Sequence, residues 1–151
     1  MTSMLNTTLS HGDKTYAAEM ATIRRTELGR EDHGIFHAML HVDFASGGST
    51  GIGGYALDDP LLRDNITDRS EYAGTIRRGT AYGLQWIIEA IYAVLGDFCT
   101  WEQLVGKRLF ALYESDVETY NRAGMNCKGI ASLDGNRIMI FSEVINHVEE
   151  K

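Results

Sequence analysis

The stretch "IFHAMLHVDF", Ile35–Phe44, constrains the fold more than any other part of the chain. Its even positions, Phe36, Ala38, Leu40, Val42 and Phe44, are all apolar, while the odd positions include His37, His41 and Asp43. On a strand, this alternation buries one face and turns the other toward solvent or a partner. Directly after it comes "SGGSTGIGGYALDD", Ser46–Asp59, which holds Gly47, Gly48, Gly51, Gly53 and Gly54. "GYAL", Gly54–Leu57, reads as a short returning strand, so strand, glycine turn and strand predict an antiparallel pair.

The rest of the chain is read around that pair. "ATIRRTEL" (Ala21–Leu28) predicts a strand, and "GREDHG" (Gly29–Gly34) is turn material. Residues 1–20 are polar with little periodicity and are expected to form an N-terminal extension, disordered or loosely docked, with Met20 as an alternative start. "DDPLLRDNITDRSEYAGTI" (Asp58–Ile76) holds the only proline and mixes charges without a steady period, which predicts a long surface loop. In "GTAYGLQWIIEAIYAVLG" (Gly79–Gly96), Leu84, Ile87, Ile88, Ile91, Val94 and Leu95 follow helical spacing. Thr80 is the expected N-cap and Gly96 the left-handed residue at the C-terminal end. Thr100 and Gln103 stand at capping-box spacing and predict a second, brief helix. "KRLFALYE" (Lys107–Glu114) reads as a strand. "GIASL" and "RIMIF" flank Asp134-Gly135, a hairpin signal, and Ser142–Lys151 reads as a short terminal helix. The expected class is α+β, an antiparallel β-sheet packed with one long amphipathic helix and a second short helix, in a single domain over 21–151.

Charge and composition exclude some functions. The net charge of −7 repels nucleic acid polymers, which need dense Lys and Arg to displace counterions. A small anion can still bind where a few donors converge. No run of about 18 apolar residues offers a membrane span, and the opening residues lack the pattern of a secretory signal. Cys99 and Cys127 are far apart, without metal or disulfide spacing, which fits a cytoplasmic setting.

Several groups of residues could carry chemistry. The glycine-rich stretch leads into a strand rather than a helix, which argues against a dinucleotide loop, and it lacks the Lys of a P-loop. Two readings stay open: a bulged connection between strands, or a backbone wall lying against a ligand. Arg77 and Arg78 precede the expected helix start at Gly79 and Thr80, where free amides and the helix dipole favour an anion. Tyr82 there could stack on a base, or could be core. His37, His41 and Asp43 share one strand face. Positions i and i+4 lie about 13 Å apart on a strand, too far for both histidines to hold one metal ion without a bend. A solvated or oligomer-facing surface is the simpler reading. Asp32 and His33 sit in a polar turn with no nucleophile beside them. Trp86 and Trp101 read as core or interface anchors. No catalytic set, metal site or cofactor motif emerges.

"LGREDHGIFHAMLHVDFASGGSTGIGGYALDD" followed by "GTAYGLQWIIEAIYAVLGDFCTWEQLVGKRL" resembles the phage Thoeris anti-defence family of the first type. The shared pattern is an E-D-H-G-I turn, G-G-Y-x-L-D, G-T-x-Y-G opening a helix, and W-x-x-L-x-G-K. It covers Ala21–Arg108. The resemblance implies a ligand-binding domain acting as a sponge, which sequesters cyclic ADP-ribose-type signals in the host cytoplasm without degrading them. It also implies a homo-oligomer, dimer or hexamer, with cyclic oligonucleotides as a second ligand class. The motif positions carried over are Gly53, Gly54, Tyr55, Gly79, Thr80 and Tyr82, to which the local argument adds Arg77 and Arg78. Residues 1–20 and the 58–76 segment depart from the pattern, as does "STGIGG" within the glycine stretch. The competing expectations are a phosphodiesterase-like enzyme and a protein that blocks a host factor by direct binding.

Overall fold

One strand of 19 residues forms the spine of the computed structural model, which describes residues 6–32, 35–56, 69–97, 99–116 and 123–144. β1 (Asn6–His11) turns at Gly12 into this long β2 (Lys14–Asp32), and β3 (Ile35–Phe44) and β4 (Ser49–Ala56) follow. The helix α1 (Arg69–Leu95) leads to a 3-10 turn at Trp101–Leu104, then β5 (Arg108–Glu114). A second 3-10 turn at Gly124–Asn126 precedes β6 (Gly129–Ala131) and β7 (Ile138–Ile140). The seven strands form one sheet in the order β4-β3-β2-β5-β6-β7, with β1 also paired to β2. Every pairing is antiparallel. The α+β expectation is met: an antiparallel sheet, one long helix and one short one.

β2 serves two half-sheets. Its first part pairs with β1 on one side and β5 on the other, and its second part pairs with β3. Between them Arg24 is an extra residue in the ladder, because Ile23 pairs with Val42 and Arg25 with His41. A bulge of this kind bends the strand and changes which residues face the core. Ala17, Ala21 and Ile23 face α1 before it. After it, Thr26 and Leu28 stand opposite the core residues Leu40 and Ala38, and Glu27 turns to the other face opposite Met39.

The core lies between the sheet and α1, whose Trp86, Ala90 and Ala93 are buried at helical spacing among Leu40, Val42, Ile52 and Tyr113. The Trp86 ring meets Phe141 at 5.7 Å and Trp101 at 6.3 Å between centroids. Beyond the sheet, Tyr16, Ala18, Phe110, Leu112, Ala131 and Ile140 form a second buried cluster. The sheet wraps around the helix: Gly124 N, in the approach to β6, donates to Thr50 Oγ1 on β4 at 2.7 Å, although β4 and β6 are far apart in the strand order.

Three expectations are corrected. The N-terminal 1–20 segment is not a loose extension where it is described, since Asn6–His11 and Lys14–Met20 are paired strands of the sheet. The 58–76 segment is not loop throughout, because α1 begins at Arg69; residues 57–68 lie outside the described residues. Thr80 is therefore not an N-cap but an interior helical residue. Other local expectations hold. Gly96 is left-handed at φ 86° and donates to Tyr92 O at 2.8 Å. Thr100 and Gln103 form the reciprocal capping box, although the turn they open is 3-10. Ser132–Arg137 joins β6 and β7 through Gly135 at φ 74°. Residues 141–144 are helical, and 145–151 lie outside the described residues.

Candidate functional site

The expected anion site at the start of the long helix loses its physical basis. Arg77, Arg78, Gly79 and Thr80 lie inside α1, so their amides are committed to carbonyls one turn earlier and are not free for an anion. Tyr82 packs against the core cluster, and its hydroxyl donates to Phe141 O at 3.2 Å, so it is core rather than a stacking platform. Gly54 and Tyr55 are in β4, with Tyr55 opposite Ala38. Gly53 belongs to the bulge in that ladder at φ 105°, and a Cβ there would lie 2.8 Å from the Trp86 ring. Gly51 is overlain by the Met39 thioether, and its carbonyl is approached by Gly124. The packing of Gly51 and Gly53 fits the bulged-strand reading of this stretch. Gly53 and Tyr82 meet the same core around Trp86, whereas the arginines lie nearer the helix start.

A cationic cleft instead lies at the opposite end of α1. It has a volume of about 510 Å³ and is lined by Val94, Gly106, Lys107, Arg108, Ser132, Leu133, Asp134 and Arg137. Small-molecule sites typically enclose roughly 300–1,000 Å³. The capping box at Thr100 opens the 3-10 turn, and Gly106, left-handed at φ 87°, swings the chain into β5. Gly106 N donates to Ile23 O and Ile23 N to Lys107 O, both at 2.8 Å, so the backbone bearing the two basic residues is pinned to β2. Lys107 and Arg108 are exposed, and neither forms an ion pair among the described residues.

The third cation comes from the β6–β7 hairpin. Arg137 Nε donates to Tyr92 O at 3.1 Å and Ala93 O at 3.3 Å, and Nη2 donates to Val94 O at 3.4 Å. Tyr92 O also accepts from Gly96 N, and the carbonyls of this last turn carry the negative end of the helix dipole. The hairpin is braced in turn: Ser132 Oγ donates to Asp134 Oδ1 at 2.5 Å, and Asn136 N donates to the same oxygen at 2.9 Å. The Ser132 hydroxyl first, then the Asn136 amide, hold the Asp134 carboxyl below its ordinary range. Three cations against one carboxylate make a positive locus in a chain whose net charge is −7.

A second cavity of about 270 Å³ adjoins the first through Arg137, and is lined by Glu89, Tyr92, Ala93, Asn136, Arg137, Ile138 and Met139. Its base is apolar, with Ala93 and Met139 buried. Tyr92 is 58% exposed. Gln85 Nε2 donates to Glu89 Oε2 at 2.9 Å, which orients that carboxylate.

On the other side of the sheet His37 and His41 do meet at one point, because Glu27 lies between them. Glu27 stands opposite Met39, midway between the histidines, and each imidazole presents Nε2 to a different carboxylate oxygen. The His41 contact is 2.8 Å, and Arg25 Nη2 adds a bond of 3.2 Å. Glu27 and His37 are buried. Asp43 stands apart, bonded to Ser49 and Arg24. The sequence distance between the histidines suggested a solvated face, and nothing in the local pattern pointed to Glu27 as the bridge. Among the described residues no cluster has the makings of a metal site. His33 lies outside the described residues.

Searches against protein-family models, curated proteins and solved structures find no match to this chain. Among the described residues no helix is long and apolar enough to cross a membrane.

Proposed function

We propose that this chain binds a small phosphorylated signal of the cyclic nucleotide class and holds it without chemical turnover. The resemblance to the phage sponge family supplies the ligand type, glycocyclic ADP-ribose with cyclic oligonucleotides as a second class, and the setting, the cytoplasm of an infected host. The observation that supports it most is the convergence of Lys107, Arg108 and Arg137 on one cleft of an acidic protein. All three line the cavity, and guanidinium and ammonium groups match a diphosphate in charge and hydrogen-bonding capacity. A homo-oligomer, dimer or hexamer, belongs to the same proposal. Leu84 and Ile88, 50% and 59% exposed one turn apart on α1, give it an apolar surface.

The enzyme alternative would draw on Asp32 and His33, of which His33 lies outside the described residues, or on His37 and His41. Glu27 occupies both rings, and the His37 side chain is only 4% exposed, which favours a structural role.

Titration calorimetry with cyclic ADP-ribose isomers tests the reading. A hydrogen bond to a charged group contributes about 1.5–3 kcal/mol, so the double variant Lys107→Glu/Arg108→Glu should bind at least tenfold more weakly. Arg77→Ala and Arg78→Ala form the comparison pair: a loss that follows them instead would move the site to the first half of α1. Heating the complex should release the nucleotide intact, and a cleaved product would mean an enzyme. If the nucleotide leaves the melting temperature unchanged, the host-factor reading gains, since a ligand at 100 times its Kd adds about 2.7 kcal/mol of stability.

A further inference from the structure

We infer that the smaller cavity is the base pocket of the same ligand site, so that the paired cavities take an adenine nucleotide lengthwise, its phosphates over Lys107 and Arg108 and its base against Tyr92. This rests on the reading of the cleft as a phosphate site. Arg137 lines both cavities, and its guanidinium is fixed by the carbonyls at the end of α1, so the relative placing of the two is built into the fold. The larger cavity is cationic; the smaller has an apolar base, one aromatic ring and two polar side chains, Glu89 and Asn136. That division matches the two ends of a nucleotide.

The ring of Tyr92 is more than half exposed beside this cavity, whereas Trp86 and Tyr113 are fully buried. An exposed aromatic face next to fixed positive charge suits a base with a phosphate attached. The polar pair selects among bases. Adenine offers an amino donor next to a ring-nitrogen acceptor, which a carboxamide can read at both atoms and toward which a carboxylate is a good acceptor. Uracil has a carbonyl where adenine has its amino group, and so gives Glu89 no amino donor.

Calorimetry on the full chain with three probes, ADP, UDP and inorganic pyrophosphate, separates the base pocket from the phosphate cleft. ADP should bind roughly tenfold or more tightly than either of the others, the scale of one stacked base. Tyr92→Ala should bring ADP to the level of pyrophosphate and leave pyrophosphate unchanged, while Tyr92→Phe should keep the preference. Thermal melts of both variants should match the parent, given the exposure of the side chain. If ADP and pyrophosphate bind alike, if UDP equals ADP, or if Tyr92→Ala leaves ADP binding intact, the base pocket is overturned and the cationic cleft stands. If none of the three binds, or if Lys107→Glu/Arg108→Glu leaves pyrophosphate affinity unchanged, the cleft falls and the base pocket with it.

Discussion

The guanidinium of Arg137 lies directly over Gly96. A Cβ at position 96 would come within 2.9 Å of Arg137 Cζ, and the backbone there is already left-handed. One glycine thus ends α1 and leaves room for the side chain that shapes both cavities. Gly96→Ala should cost about 1–2 kcal/mol from the positive φ. It should also weaken nucleotide binding by pushing Arg137 aside. Urea denaturation alongside calorimetry checks both effects; lost stability with unchanged affinity would separate Arg137 from the ligand.

Gly53 should be equally intolerant for a different reason. Its missing side chain is the space filled by the Trp86 ring, so Gly53→Ala should destabilise the fold by about 2–4 kcal/mol, overpacking added to a strained φ. Trp fluorescence should report the displaced ring. A melting temperature within a degree of the parent would contradict this packing.

Glu27 is the acceptor shared by two histidines and an arginine in a buried setting. Removing one partner of such a cluster leaves the others desolvated, so Glu27→Ala should cost about 3 kcal/mol or more. Glu27→Gln retains one acceptor and should cost less. Nucleotide affinity should survive in whatever fraction still folds, because the cluster faces away from α1 while the cleft adjoins it.

Cys127 offers a prediction in pH. Burial pushes its thiol up to about 12 from an ordinary 9.0. A folded value above the unfolded one favours the neutral thiol in the native state. The associated stability is complete below pH 9 and is lost as pH rises toward 12. At pH 8 iodoacetamide should modify Cys99, which is partly exposed, and reach Cys127 only on unfolding. Rapid reaction of both thiols in the native protein would overturn this.

Features set by a few neighbouring residues were legible in the sequence. The alternation at Ile35–Phe44 gave β3 its observed bounds, and Gly96, the Thr100–Gln103 pair and Asp134-Gly135 marked turns that the structure contains. The start of α1 was not legible, because Gly74, Gly79 and Gly83 each lower helix propensity by about 1 kcal/mol and tertiary context overrides them. Gly83 is buried in the helix as evidence of that context. The first half of β2 was obscured for a similar reason: Ala17 and Ala18 are too small to show a period, and their burial depends on β5, almost a hundred residues away. The cleft was invisible because Arg137 meets the helix end across 45 residues of sequence, and charge spacing along a chain does not reveal such encounters.

The long β2 strand also governs how the molecule can come apart. Since one continuous 19-residue strand carries both half-sheets, and Gly124 ties the far edge back to Thr50, neither half retains a complete set of backbone partners once the other has melted. Amide protons of β3 and β5 should therefore exchange with deuterium together, at a rate set by global opening. Ligand capture in such a body would register as an even slowing of that exchange, with no lobe swinging shut.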